Sequence, residues 1–206
     1  MPRGFDAREQ KEIIGRLYEA GEEAFSRTDF AKVSVDELVG PAGISKGAFY
    51  RFFESKEHFY FALTQQVEVR EKQRIAVRLE RAWDELSLKQ ALEYFFLWQF
   101  ELIEQHPLFE RALDPALLER IIRKLGRQAY QERMAEDEAF WKDWIGRFAG
   151  KGMVQDEAVL ARAFEAVKNL IYLVLHRRDI GPGWKNTLVY LVDRISEDLL
   201  PKNREE

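Results

Sequence analysis

The chain has no cysteine and only three histidines in 206 residues. Without thiols there is no disulfide framework, no thiolate metal site and no cysteine nucleophile, a usage that fits a reducing compartment. His58, His106 and His176 are scattered, with no partner at helical spacing that builds a metal face, and their acidic neighbours read as surface charges. No metal and no cofactor are assigned. Long apolar runs are also missing. The longest, Leu170 to Leu175, is far too short for a bilayer, and the N-terminal stretch MPRGFDAREQK is charged where an export signal needs an apolar core. The sequence therefore predicts a cytoplasmic protein with no membrane association. Charge of one sign is not in excess, with 32 Lys and Arg against 36 Asp and Glu, so composition alone carries no nucleic-acid footprint.

Proline and glycine are sparse, at 6 and 12, and strand-like alternation bounded by turns is absent, as are repeats and low-complexity tracts. What is present is the helical period, apolar residues recurring every three or four positions in a chain that is 46% apolar and 13% aromatic. The fold class is all-α. A first helix is predicted from about Asp6 to Arg27, with Ile13, Leu17, Ala20, Ala24 and Phe25 on one stripe. Ser34 and Glu37 then form a capping box, with Val33 and Leu38 as its hydrophobic staple. Gly43 stands where the chain needs positive φ to reverse, and Ser45 caps a second short helix stapled by Ile44 and Phe49. Two short helices joined by a tight glycine turn make a helix-turn-helix. Ser55 caps a long helix from Lys56 to about Arg81. Further helices are predicted at 83–105, 108–113, 115–134 with an interruption near Gly126, 136–149, 157–178 and 184–199.

The stretch SVDELVGPAGISKGAFYRFFESKEHFYFAL, residues 34–63, resembles the DNA-binding region of the tetracycline-repressor (TetR) family. The resemblance rests on Ala42-Gly43-Ile44-Ser45, Tyr50, Phe52-Phe53 and Lys56, with Ala20, Phe25 and Asp29-Phe30 before them. It implies an N-terminal three-helix DNA-binding domain, residues 1–55, and a C-terminal helical ligand-binding and dimerisation domain, residues 56–206. A recognition helix presents its first turn to base edges, which makes Lys46, Gly47 and Ala48 the candidate readers: Lys46 can reach guanine O6 and N7, and Ala48 a thymine methyl. The resemblance assigns phosphate contacts to Tyr50 and Lys56, with Ser34 and Ser45 adding hydroxyls. The basic patch is local. Residues 43–56 hold Lys46, Arg51 and Lys56 against Glu54, whereas residues 1–56 hold nine basic and ten acidic side chains. One departure is Gly40-Pro41, where the family carries helix-compatible residues. A proline removes an amide donor, so the first helix of the motif is predicted to stop or distort within a residue or two of Val39, leaving the Glu37 carbonyl without its amide.

In the second half, the run from Tyr94 to Phe100 is apolar around the whole helix and must be buried on several faces. Tyr94, Trp98, Phe140, Trp141 and Trp144 are either thick core or the wall of an effector cavity, which the family places among these helices. Gln99 puts an amide on an apolar stripe and needs a partner, in the core or in a ligand. The last two helices carry apolar stripes, and in the family they form an intermolecular four-helix bundle. Phe164, Ile171, Leu188 and Ile195 are thus the predicted centre of a homodimer interface. His176-Arg177-Arg178-Asp179 has a superficial likeness to a kinase catalytic loop but lacks every accompanying element, and no catalytic constellation is visible. The predicted function is a non-enzymatic transcriptional regulator: a homodimeric repressor on a double-stranded DNA operator, released by a small hydrophobic effector. The alternative keeps the DNA-binding end and makes the C-terminal domain a protein-interaction platform.

Overall fold

A computed structural model describes residues 5–201. The first four residues of the charged N-terminal stretch and the last five of the chain lie outside the described residues. Among the described residues there are twelve helices and no strand: α1 (Ala7–Arg27), α2 (Val35–Ala42), α3 (Lys46–Phe52), α4 (Lys56–Ala82), α5 (Leu88–Gln105), α6 (Pro107–Ala112), α7 (Pro115–Leu125), α8 (Arg127–Gly150), α9 (Glu157–Asn169), α10 (Ile171–Leu175), α11 (Arg177–Ile180) and α12 (Trp184–Asp198). The all-α architecture is the one the apolar periodicity predicts. Two compact units emerge. One comprises residues up to Arg70 together with His106–Gln131, the other Glu71–Gln105 together with residues from Glu132 onward.

In the first unit, α1 begins with a reciprocal cap, Asp6 Oδ1 accepting from the Glu9 amide at 2.8 Å and Glu9 Oε2 from the Asp6 amide at 2.9 Å. Ile13, Leu17, Ala20 and Phe25 turn inward as the stripe predicts. Leu17, Phe25, Leu38, Phe49 and Phe59 are fully buried in one aromatic-rich core, and each such side chain contributes about 1.5–3 kcal/mol. Ser55 opens α4, its Oγ accepting from the His58 amide at 3.0 Å. The short α6 and α7, each with proline in its first turn, where a missing amide costs nothing, belong to this unit as well. Tyr60 Oη donates to the Leu108 carbonyl at 2.5 Å, Arg111 donates to the Phe25 carbonyl, and Arg120 Nε meets Glu57 Oε1 at 2.6 Å.

In the second unit, α12 packs on α5 and α9, and α10 on α5, α9 and α12. Lys89 of α5 reaches α12 at two carboxylates, Asp193 at 2.5 Å and Glu197 at 2.8 Å. Three boundaries differ from the sequence reading. Residues 83–87 form a turn, so α5 starts at Leu88. Helix α8 runs unbroken through residues 134–136, since nothing there interrupts the backbone ladder. The predicted 157–178 helix is broken at Leu170 and again at His176, where φ −99° and ψ 16° leave the helical region.

Candidate nucleic-acid interface

The helix-turn-helix is assembled by caps at both of its short helices. Ser34 Oγ accepts from the Glu37 amide at 3.2 Å while Glu37 Oε2 accepts from the Ser34 amide at 3.0 Å, and Val33 and Leu38 are buried beneath. Helix α2 does not stop within a residue or two of Val39, as Pro41 had suggested, but continues to Ala42. Pro41 lies in the last turn, so the disruption is confined to the single amide that would have bonded the Glu37 carbonyl, on an exposed residue. The end is secured by Gly43 in the left-handed region (φ 68°, ψ 32°), with its amide donating to the Gly40 carbonyl at 3.1 Å and the Ile44 amide to Val39 at 3.2 Å. Ser45 Oγ then accepts from the Ala48 amide at 3.2 Å and starts α3.

Phe49, fully buried, pins α3 to the core against Phe53 and Phe59, at 5.6 and 5.5 Å between ring centroids. The opposite face is bare. Ser34, Ser45, Lys46, Gly47 and Tyr50 are exposed and Ala48 half-buried. Tyr50, 48% exposed, is held edge-on to Phe49 at 5.4 Å. Lys46 Nζ lies 3.0 Å from Asp36 Oδ2, and the hydrogen bond and charge of that carboxylate hold its pKa above the ordinary lysine value. Lys56 is placed differently from the others. Its ammonium is half-buried, donates to the carbonyls of Phe30 at 2.7 Å and Val33 at 2.6 Å, and sits 4.4 Å above the Phe30 ring. Burial, and then the nearby Arg120, push its pKa down. The sequence reading missed the Asp36 partner, ten residues from Lys46, and counted Arg51 in the basic patch without giving it a role; it is an exposed cation of α3 whose guanidinium lies 5.9 Å from the Phe5 ring.

A capped glycine-turn motif with a bare, cationic second helix presents the chemistry needed to enter a major groove. Residues 17–63 match the family described as bacterial regulatory proteins, tetR family. The chain carries a TetR-family DNA-binding domain. No curated protein sequence is matched. Among solved structures it is similar to a TetR transcriptional regulator from Rhodococcus sp. RHA1 at 17% identity and a TM-score of 0.56, covering 95% of this chain and 99% of that one. A second TetR-like regulator from the same organism gives 17% identity and a TM-score of 0.52, covering 95% and 97%. The fatty acid degradation regulator FadR from Bacillus halodurans gives 18% identity and a TM-score of 0.51, covering 99% and 100%. At these identities the likeness shows the fold, and it extends over the whole length of a TetR regulator.

The second unit gathers four of the five predicted cavity aromatics around a residue the sequence reading did not single out. Phe95, fully buried, has ring contacts with Trp98 (6.2 Å), Phe140 (6.0 Å), Trp141 (4.9 Å) and Trp144 (5.5 Å). Trp144 is 1% exposed, while Trp98, Phe140 and Trp141 are half-buried. Tyr94 pairs instead with the Arg78 guanidinium, 5.0 Å from its ring. The Gln99 Nε2 is buried and has no hydrogen-bond partner among the described residues. Of the predicted interface residues, Leu188 is turned into the unit's own core at 3% exposure and Phe164 packs edge-on to Phe96 and Trp141, with Ile171 and Ile195 half-buried. The large apolar side chains left exposed on α10 and α12 are instead Tyr172, Val189 and Tyr190. No helix among the described residues is long and apolar enough to cross a membrane, and no group of acids and histidines there could hold a metal ion.

Proposed function

We propose that this TetR-family regulator is a homodimeric repressor whose grip on its operator is released by a small, mostly apolar molecule bound in the second unit. The observation that carries the reading is the Gln99 Nε2, a buried donor with no acceptor among the described residues, one turn along α5 from Phe95 and its cluster of aromatic rings. A buried unsatisfied amide is costly, about 1–3 kcal/mol. A ligand with an apolar body and one carbonyl or carboxylate would offset that cost and bury its body on Trp98, Phe140 and Trp141. On the DNA side, Lys46, Gly47 and Ala48 read base edges, a reading the bare face of α3 supports, and Tyr50, Lys56, Ser34 and Ser45 hold phosphates. The two functions divide as residues 1–55 and 56–206, with Lys56 at the boundary serving the DNA side.

Dimerisation is assigned to the outer faces of α10 and α12, because Tyr172 (60% exposed), Tyr190 (61%) and Val189 (46%) are large apolar groups that a monomer leaves wet. The protein is cytoplasmic and catalyses no reaction in this reading. The deciding experiment is a thermal-shift screen with long-chain fatty acids, alcohols and aromatic carboxylates, followed by titration of each hit into the protein–operator complex. A compound that raises the melting temperature and releases the DNA supports the reading. Failure of every compound to do both, with DNA binding intact, overturns it in favour of a protein-binding second unit.

A further inference from the structure

Outside the helix-turn-helix, the first unit carries a second concentration of positive charge, on α7. The helix is two-faced: Leu117 and Ile121 are buried with Leu118, Ile122 and Leu125 half-buried beside them, and the outer face carries Arg120, Arg123 and Lys124. Arg127 follows just past Gly126, and Glu119 is the single acid within α7. Some exposed cations elsewhere find an acid one turn away, as Arg8 does with Glu12, Lys142 with Glu138 and Arg147 with Asp143, while Arg16, Arg162 and Arg178 stand singly without an ion pair among the described residues. Arg123, Lys124 and Arg127 are exposed and make no ion pair with any described residue. What sets these three apart is their grouping within five residues at the end of one helix, a local positive patch suited to an external anion.

Arg120 connects this stripe to the DNA-binding domain. Its guanidinium lies 5.3 Å from the centroid of the Phe30 ring, the same ring that Lys56 Nζ covers at 4.4 Å, and Glu57 neutralises only one of the two. Through Arg120, α7 therefore adjoins the start of α4, where the DNA-binding domain carries its candidate phosphate contact. We propose that Arg123, Lys124 and Arg127 form a second phosphate-binding surface that grips the backbone of duplex DNA flanking the half-site read by α3. The occupant is duplex DNA because the surface is cationic and extended, without an apolar centre for a protein partner, and adjoins a DNA-binding domain. The inference rests on this chain binding DNA through that domain. Such contacts carry no sequence information and add affinity through counterion release.

The test uses the full chain, a duplex enriched from a random pool by the wild-type protein, and the same duplex trimmed to the enriched core. R123A/K124A is compared with wild type by anisotropy across a salt series. On the long duplex the slope of log K against log salt should flatten by roughly 0.9 for each phosphate let go, which is about fivefold in affinity per phosphate at physiological salt. On the trimmed duplex the two proteins should bind alike. The charge-keeping R123K/K124R should follow wild type, and since neither side chain has a partner the melting temperatures should coincide. An unchanged slope on the long duplex overturns the proposal, as does an equal weakening on both duplexes, which would move the grip inside the half-site. Should wild type fail to enrich any duplex, the DNA-binding reading itself falls, and the proposal with it.

Discussion

Lys46 and Asp36 meet across the helix-turn-helix, Nζ to Oδ2 at 3.0 Å, so the side chain placed to read a base is held by a carboxylate of the neighbouring helix. Both are well exposed, and an exposed pair of this kind is weak enough for DNA to compete for the lysine. Two variants separate the consequences. Lys46→Ala should cost about ten- to a hundredfold per half-site on the operator and far less on scrambled DNA, because a base-edge hydrogen bond counts only where the base is present. Asp36→Asn removes a negative charge from the DNA face and frees the lysine, so it should tighten scrambled DNA more than operator and narrow the preference between them. Identical behaviour of Asp36→Asn and wild type on both duplexes would show that the pair has no part in recognition.

Gly47 lies in the first turn of α3, and a β-carbon there would meet only Ser45 Oγ, at 3.9 Å. Ala in place of Gly within a helix stabilises by about 0.5–1 kcal/mol. Gly47→Ala should therefore raise the melting temperature of the free protein. On operator DNA it should weaken binding, because the glycine lets the backbone come close to the groove and the methyl intervenes. A melting curve and an operator titration of the same preparation check both signs.

Lys56 anchors the turn between α1 and α2 through the carbonyls of Phe30 and Val33. Lys56→Met keeps the stem and deletes both bonds, leaving two carbonyls short of a donor at about 1–3 kcal/mol in all, or several degrees of melting temperature for a chain of this size. Its effect on DNA should be equal for operator and scrambled sequence, and it should flatten the salt dependence by about 0.9 for each phosphate no longer gripped. A drop in stability without any change in salt slope would make Lys56 a purely internal anchor.

The local chemistry of the DNA-binding end was legible in the sequence because each of its features is short-range. The Ser34 and Glu37 box, the Gly43 reversal and the Ser45 cap all span four residues or fewer, and each forms as read. Pro41 misled because its penalty depends on position: one residue before the helix end it removes a single bond on an exposed turn. What no local pattern could supply was pairing across distance. Asp36 and Lys46 are ten residues apart and Lys56 reaches back 23 to Val33, so neither partner lies within one helical turn. Leu188 shows the limit of stripes: an apolar stripe tells which face is covered, and its own subunit covers that one here.

Gln99 decides between core and cavity in the second unit. Its Nε2 has no acceptor among the described residues, so Gln99→Leu, similar in volume, removes an uncompensated donor and should stabilise the ligand-free protein by about 1–3 kcal/mol. A glutamine serving the core through an ordered water would respond in the opposite direction, since the substitution would then delete a satisfied group. For a ligand whose carbonyl or carboxylate accepts from this amide, saturating concentrations stabilise the wild type by about 2.7 kcal/mol at a hundredfold excess over Kd. The variant should forgo most of that gain for acceptor-bearing ligands while keeping it for purely apolar ones of the same length, which still bury their bodies on Trp98, Phe140 and Trp141. Melting curves of both proteins with a fatty acid and the matching alkane measure the difference. If the variant is less stable than wild type without ligand and responds equally to both compounds, Gln99 is core and the cavity lies elsewhere in the unit.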